Sequence, residues 1–182
     1  MKKNIVLIGF MGTGKTAIGK RLANRLGREF VDTDKEIERV TGKTIPQIFA
    51  QDGELRFRSE ERLVIQKLSR SEGMVIATGG GAVLNPDNVA DLKRNGILIC
   101  LAADPEVIYQ RVRGKKQRPL LNKKGDLRVQ IQELLAKRKP FYQVADYTVD
   151  TGNRLPDRVV DEIIVYLTES NRKKEIENMR LP

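Results

Sequence analysis

Eight residues near the start of the chain, Gly9, Phe10, Met11, Gly12, Thr13, Gly14, Lys15 and Thr16, carry the spacing of a phosphate-binding loop. A phosphate chain is held by converging backbone N–H groups, and Gly9, Gly12 and Gly14 let the backbone turn with φ > 0 and approach without a Cβ in the way. Lys15 then places a mobile positive charge on the β- and γ-phosphates, and the Thr16 hydroxyl is set to ligate Mg2+. The helix that starts here points its positive end at the anion. The stretch Gly12, Thr13, Gly14, Lys15, Thr16, Ala17 is therefore expected to hold a nucleotide.

In open α/β sheets ligands gather beyond the carboxyl ends of the strands, which makes the residues after each apolar run candidates. Asp32, Thr33 and Asp34 follow the second run, and Thr78, Gly79, Gly80 and Gly81 follow the third. Two carboxylates one residue apart can divide two tasks, and the expected division gives Asp32 to the metal and Asp34 to a substrate hydroxyl. An alternative makes Asp34 an ordinary cap for the helix that carries Ile37 and Val40. The three glycines either form a flexible joint or let a small ligand reach bare backbone N–H groups. The third run ends in Thr78, where many phosphate-loop proteins have an acidic metal ligand, so the metal's second protein contact falls to Asp32 or to water.

The elements that must position these groups are legible in the hydrophobic pattern. Ile5 to Ile8, Glu29 to Val31, Met74 to Ala77, Ile97 to Leu101 and Tyr147 to Val149 read as strands. They lack period-2 alternation and are separated by helical patterns, which implies a parallel sheet covered on both faces, a three-layer α/β/α domain with five parallel strands. Ile18, Leu22 and Leu26 mark a first helix closed by Gly27. Thr44 with Gln47 has the spacing of a capping box, Asp104-Pro105 opens another helix, and Pro156 opens a last one carrying Val159, Val160, Ile163, Ile164 and Leu167. The basic stretch Gly114 to Gly125 breaks the pattern and reads as a mobile lid, about 112–125, or as a solvated loop. Residues 169–182 form a charged tail with the character of a frayed helix after a single domain, 1–168.

Composition narrows the chemistry. The 182 residues are 40% apolar, enough for one core. There is no histidine and one cysteine, Cys100, which leaves no plausible zinc site and gives acid–base work to carboxylates. No run approaches the roughly 18 apolar residues of a membrane span, and the first strand leaves no room for a leader; the expectation is a cytoplasmic, monomeric protein with no membrane partner. Lys and Arg outnumber Asp and Glu 34 to 24, a net +10, which favours anionic partners. Nucleic acid is one such partner, and a nucleotide-dependent RNA-binding module is the rival from another class. The chain has no Trp, five Phe and four Tyr to supply stacking surface, so no nucleic-acid partner is expected.

Taken together, the phosphate loop with Asp32 and Asp34, Gly53-Glu54, Phe57-Arg58 with Glu61, Gly79 to Gly81, Arg118-Pro119-Leu120-Leu121, and Arg138 with Pro140 and Tyr142 resemble the shikimate kinase family over about residues 4–167. The resemblance implies the P-loop, nucleoside monophosphate kinase-like fold, ATP as co-substrate with one Mg2+ per active site, and phosphoryl transfer to the 3-hydroxyl of shikimate in aromatic amino-acid biosynthesis. It implies that Lys15, Asp34 and Arg118 are catalytic and that Asp34, Phe57, Arg58, Glu61, Gly79, Gly80, Gly81 and Arg138 bind the substrate. Arg58 and Arg138 would clamp its carboxylate, Glu61 would hold Arg58, and Arg118 would reach the transferring phosphoryl group. Arg111, Arg154 and Pro156 would border the adenine, and Thr16 with Asp32 would hold the metal. A kinase for another small acceptor, such as gluconate, is the nearest alternative, and paired arginines favour a carboxylate-bearing acceptor over AMP.

Overall fold

Ile5 and Leu7 point to one side of the first strand and Val6 and Ile8 to the other, and all four are buried, so this strand is covered twice. The computed structural model of the chain describes residues 2–114 and 125–179. The first strand, β1 (Asn4–Ile8), is central in a sheet completed by β2 (Phe30–Asp32), β3 (Val75–Ala77), β4 (Gly96–Ala102) and β5 (Tyr147–Asp150). The order is β2-β3-β1-β4-β5 and every pairing is parallel, with Ile5 opposite Val75 on one side and Ile97 on the other. The five expected strands are all present. No end moves by more than one residue, and in the central strands, buried on both faces, no alternation marks where pairing stops.

Helices α1 (Lys15–Leu26) and α8 (Pro156–Met179) cover one face, where Ile18, Leu22, Val160 and Ile163 pack on Leu7, Ile99 and Val149. The other face is covered by α5 (Pro86–Arg94), α6 (Pro105–Val112) and α7 (Leu127–Arg138), which lay Leu92, Ile108 and Ile131 over Val6, Ile8, Leu98 and Cys100. A third cluster, Ile37, Ile48, Phe57, Val64 and Leu68 around Ile76, joins β3 to α2 (Thr33–Thr41), α3 (Ile45–Gln51) and α4 (Gly53–Leu68). The expected caps hold: Gly27 closes α1 in the left-handed conformation, and Thr44 and Gln47 form a complete capping box on α3. Helix α8 begins at Pro156 and continues through Met179, into the segment read as a tail. The lid residues 115–124, Arg118 among them, lie outside the described residues.

Candidate active site

The phosphate loop spans the turn from β1 into α1. Gly9 takes φ 135°, and a Cβ there would strike the Leu101 carbonyl of β4, so only glycine lets the loop leave the sheet at this point. Gly14, in the left-handed region, opens α1 without a side-chain cap, which leaves the first turn's N–H groups to a ligand. Lys15 is buried, and its Nζ donates to the carbonyls of Gly9 (2.8 Å) and Phe10 (2.9 Å). The Thr13 hydroxyl donates to the same Phe10 carbonyl at 2.8 Å. A cleft of about 450 Å³ runs along this loop and joins Lys15, Thr16 and Ala17 to Asp32, Asp34 and Gly80.

Asp32 accepts three bonds at once. Its Oδ2 accepts from the Thr16 hydroxyl at 2.7 Å, and its Oδ1 accepts from the backbone N–H groups of Asp34 (3.1 Å) and Lys35 (3.4 Å). The cap of α2 is therefore Asp32, and the capping alternative weighed for Asp34 is corrected: Asp34 lies inside the first turn, where its side chain turns to the cleft. A divalent ion fits the Thr16–Asp32 pair chemically, because both supply oxygen and a small hard cation takes one or two protein oxygens with phosphate and water. The described residues contain no cluster of three or more His, Cys, Asp or Glu that could hold a metal unaided.

At Gly79 and Gly81 the glycine run after β3 has a further structural reason beside the bare-backbone one. A Cβ on Gly79 would lie 2.7 Å from Asp34 Oδ1 and 2.8 Å from Glu61 Oε1, and one on Gly81 would lie 2.7 and 2.8 Å from the two terminal nitrogens of Arg58. The missing side chains are the slots into which the charged groups fit. The Gly79 N–H is committed to the Thr33 hydroxyl at 3.0 Å, and Thr33 is fully buried. Arg58 Nη1 donates to Glu61 Oε2 at 2.8 Å and Nη2 to Glu54 Oε1 at 3.0 Å, so carboxylates one turn on either side hold its guanidinium. Burial pushes the Glu61 carboxyl above the usual carboxylate range, and the adjacent Arg58 offsets part of that rise.

Arg138, at the end of α7, is buried and stands close enough to Arg58 for the two like charges to repel. Burial holds its guanidinium below the usual range, Tyr142 counters that, and Arg58 adds to it. Its Nη1 is buried without a hydrogen-bond partner, and its carbon lies 5.9 Å from the centre of the Phe10 ring in the phosphate loop. Two neighbouring cations, one with an orphaned buried N–H, make a receptor for an anion. Phe57 is in the core, 5.0 Å from the Phe49 ring, and supports Arg58, whose guanidinium carbon is 5.2 Å from its centre.

At the other end of the cleft Arg111 donates to Gly12 O (3.4 Å), Thr151 Oγ1 (3.1 Å) and Gly152 O (2.6 Å). Arg154 Nη1 pairs with Glu162 at 2.6 Å, and Pro156 completes this rim. Sequence reasoning missed Thr151, and it named Thr33 and Tyr142 without giving either a role. Thr151 is buried at the end of β5 and its hydroxyl donates to Thr13 O (2.9 Å), so the strand-end argument applied once more would have found it. The cleft brings together Gly12, Thr13, Gly14, Lys15, Thr16, Ala17, Asp32, Asp34, Gly80, Arg111, Arg154 and Pro156. Phe57, Arg58, Glu61, Gly79, Gly81 and Arg138 do not line it but adjoin it through the glycine run, and Arg118 lies outside the described residues.

A parallel sheet in this order with a phosphate loop after its central strand, and an acidic strand end across the cleft from that loop, defines a P-loop kinase of the nucleoside monophosphate kinase-like class. The family model for shikimate kinase matches residues 11–168. Shikimate kinase of Pelotomaculum thermopropionicum is 63% identical over 93% of this chain and 98% of its own length, and that of Desulforudis audaxviator is 58% identical over 92% and 87%. The solved shikimate kinase of Acinetobacter baumannii in complex with shikimate superposes with a TM-score of 0.90 at 40% identity, covering 93% of this chain and 95% of that one. The chain belongs to the shikimate kinase family.

Proposed function

We propose that the cleft transfers the γ-phosphoryl group of ATP to the 3-hydroxyl of shikimate, giving shikimate 3-phosphate and ADP. Phosphorylation of shikimate is the activity of the family to which the chain belongs, and the observation that carries the reading here is one hollow containing both Lys15 and Asp34, with the Arg58–Arg138 cation pair beside it. Phosphoryl transfer asks little covalent chemistry of the protein and a great deal of positioning. The N–H groups of Gly12 to Ala17 receive the phosphates, and Lys15 exchanges its two loop carbonyls for phosphate oxygens. The guanidiniums of Arg58 and Arg138 grip the acceptor's carboxylate, and Asp34 orients the hydroxyl and takes its proton. Gly80 and Gly81 offer backbone N–H groups to the acceptor, while Gly79, Glu61 and Phe57 act through the groups they position. Arg111, Arg154 and Pro156 border the adenine.

Thr16, with Asp32 directly or through water, would hold one Mg2+ per site, which would supply neutralisation of the phosphate charge. Arg118 is given its place at the phosphoryl group by family resemblance. A monomeric state and a cytoplasmic location belong to the same proposal, and the lone buried thiol of Cys100 suits the second. No described helix is long and apolar enough to cross a membrane.

ADP release in a coupled assay, with shikimate, quinate, gluconate and AMP as acceptors, tests the reading. Shikimate is expected to support by far the highest kcat/KM, and equal or better turnover of gluconate or AMP would overturn it. A salt-sensitive RNA complex with no effect of shikimate would support the rival module instead.

A further inference from the structure

Thr151 is the first residue after β5, is buried, and continues the pairing of that strand through its own N–H, which donates to the Ala102 carbonyl of β4 at 2.8 Å. Its hydroxyl stands among three further groups. It lies 2.9 Å from the Thr13 carbonyl and 3.0 Å from the Ala102 carbonyl, and it accepts from Arg111 Nη1 at 3.1 Å. A hydroxyl has one proton and two lone pairs. Ala102 O already receives the backbone N–H, so the Thr13 carbonyl is left to take the hydroxyl proton while Arg111 uses a lone pair.

The Thr13 carbonyl matters because of the peptide it belongs to. A trans peptide is planar, with its C=O and N–H pointing in opposite directions, and no peptide among the described residues is cis. Holding Thr13 O toward β5 therefore turns the N–H of Gly14 the other way, and Gly14 lines the cleft. That N–H has no acceptor among the described residues. Gly14 takes φ 96°, where a glycine backbone swings with little resistance, so the peptide before it needs an outside hold to keep one orientation. Arg111 secures the same end of the loop: Nη1 reaches Gly12 O at 3.4 Å, and Nη2 donates to Thr151 O (2.5 Å) and Gly152 O (2.6 Å).

We propose that Thr151 is a positioning residue for the nucleotide, its hydroxyl fixing the Thr13–Gly14 peptide from the end of β5 so that the Gly14 N–H faces the phosphates, and coupling that peptide to Arg111 at the adenine end of the cleft. The proposal rests on the nucleotide-binding reading given above. It makes the last strand of the sheet, 138 positions away, part of what keeps the phosphate loop in its binding shape.

Thr151→Val removes the hydroxyl and keeps the branched shape, and Thr151→Ser keeps the hydroxyl and drops the methyl. Thr41→Val is the control, since the Thr41 hydroxyl also donates to a backbone carbonyl (Ile37, 2.7 Å) but at the far end of α2. Calorimetric titration with ADP and steady-state kinetics with each substrate varied are the readouts, with melting temperatures alongside. Thr151→Val is expected to weaken ADP binding and raise the KM for ATP by about 10-fold while the KM for shikimate stays within about 2-fold, and Thr151→Ser to stay within about 2-fold of the unaltered protein throughout. Unchanged ADP affinity in Thr151→Val would overturn the proposal. So would a Thr151→Ser protein as weak as Thr151→Val, which would place the effect in the methyl group, or equal losses for ATP and shikimate with a melting temperature below that of Thr41→Val, the pattern of a purely structural bond. Should Thr151→Val not fold, Thr151→Cys, whose thiol is only a weak donor, takes its place with the same outcomes. Failure of the unaltered protein to bind ADP would instead strike the nucleotide-binding reading, so the two failures are separable.

Discussion

Asp34 and Glu61 face each other across Gly79, each with a carboxylate oxygen within 2.8 Å of the point a Cβ would occupy. Neither shares a helix with the other, and the glycine is what lets a base candidate and the holder of the Arg58 guanidinium sit on the same ligand wall. Gly79→Ala is therefore expected to fold, because both obstructing groups are ends of side chains that can swing aside, and to lose about 100-fold in kcat as they do. Circular dichroism and steady-state kinetics on the purified variant check this. Activity near that of the unaltered protein would mean that the two carboxylates are less tightly placed than the structure has them.

Asp34→Asn separates chemistry from folding. The cap of α2 belongs to Asp32, so the change at Asp34 keeps shape and removes charge without uncapping a helix. A fall in kcat of roughly 100-fold or more with nucleotide affinity unchanged is expected, read by single-turnover kinetics and by calorimetric titration with a nonhydrolysable ATP analogue.

The local parts of this site were legible and the long-range ones were not. The phosphate loop is one contiguous run with a strand before it and a helix after it, and its spacing alone places Lys15 and Thr16. The acidic pair was read as a pair, but which aspartate caps α2 depends on the backbone angles of two adjacent residues, and Asp34 was weighed for a role that Asp32 performs. The slots at Gly79 and Gly81 depend on side chains arriving from other elements, and glycines alone do not announce what fills them. The bonds of Thr33 to Gly79, Tyr142 to Gly80 and Thr151 to Thr13 join residues 46, 62 and 138 positions apart, and no local period encodes such partners. The sheet was readable for the opposite reason, since strands buried on both faces are unbroken apolar runs whatever they pair with.

Asp32 carries a structural bond on one oxygen and a candidate metal contact on the other, and two substitutions divide them. Asp32→Asn keeps an acceptor for the α2 cap, so its melting temperature is expected to hold while the Mg2+ concentration for half-maximal activity rises. Asp32→Ala is expected to show the same magnesium defect plus a loss of about 1 kcal/mol from the missing cap. Chemical denaturation and activity titrated against Mg2+ distinguish them, and a Mg2+ requirement unmoved in both would take the metal away from Asp32.

The clamp is tested at Arg58, whose guanidinium is held from both sides by Glu54 and Glu61 but is still part exposed toward a ligand. Loss of a desolvated bidentate contact costs roughly 2–4 kcal/mol, so Arg58→Ala is expected to weaken shikimate binding about 30-fold or more while ATP binding persists. Calorimetric titration with shikimate measures it directly, and an unaltered affinity would remove Arg58 from the carboxylate.

Glu61 gives the pH dependence of stability a definite sign. Its carboxyl is lifted above the ordinary glutamate value by burial, with Arg58 and then Arg138 acting against the lift, so the folded protein holds this proton more tightly than the unfolded chain does. A group with a raised folded value contributes stability that is fully present below its unfolded value and is lost as pH rises through its folded value. Glu61→Gln cannot lose that proton and still accepts from Arg58, so the stability of the unaltered protein relative to the variant is expected to fall as pH rises above about 4.3, then level off once Glu61 is ionised in the fold. Urea denaturation of both proteins at steps from about pH 4 to about pH 8 gives the difference curve. A curve that rises with pH instead would mean that Arg58 outweighs burial and that Glu61 enters the fold as a fully ionised partner.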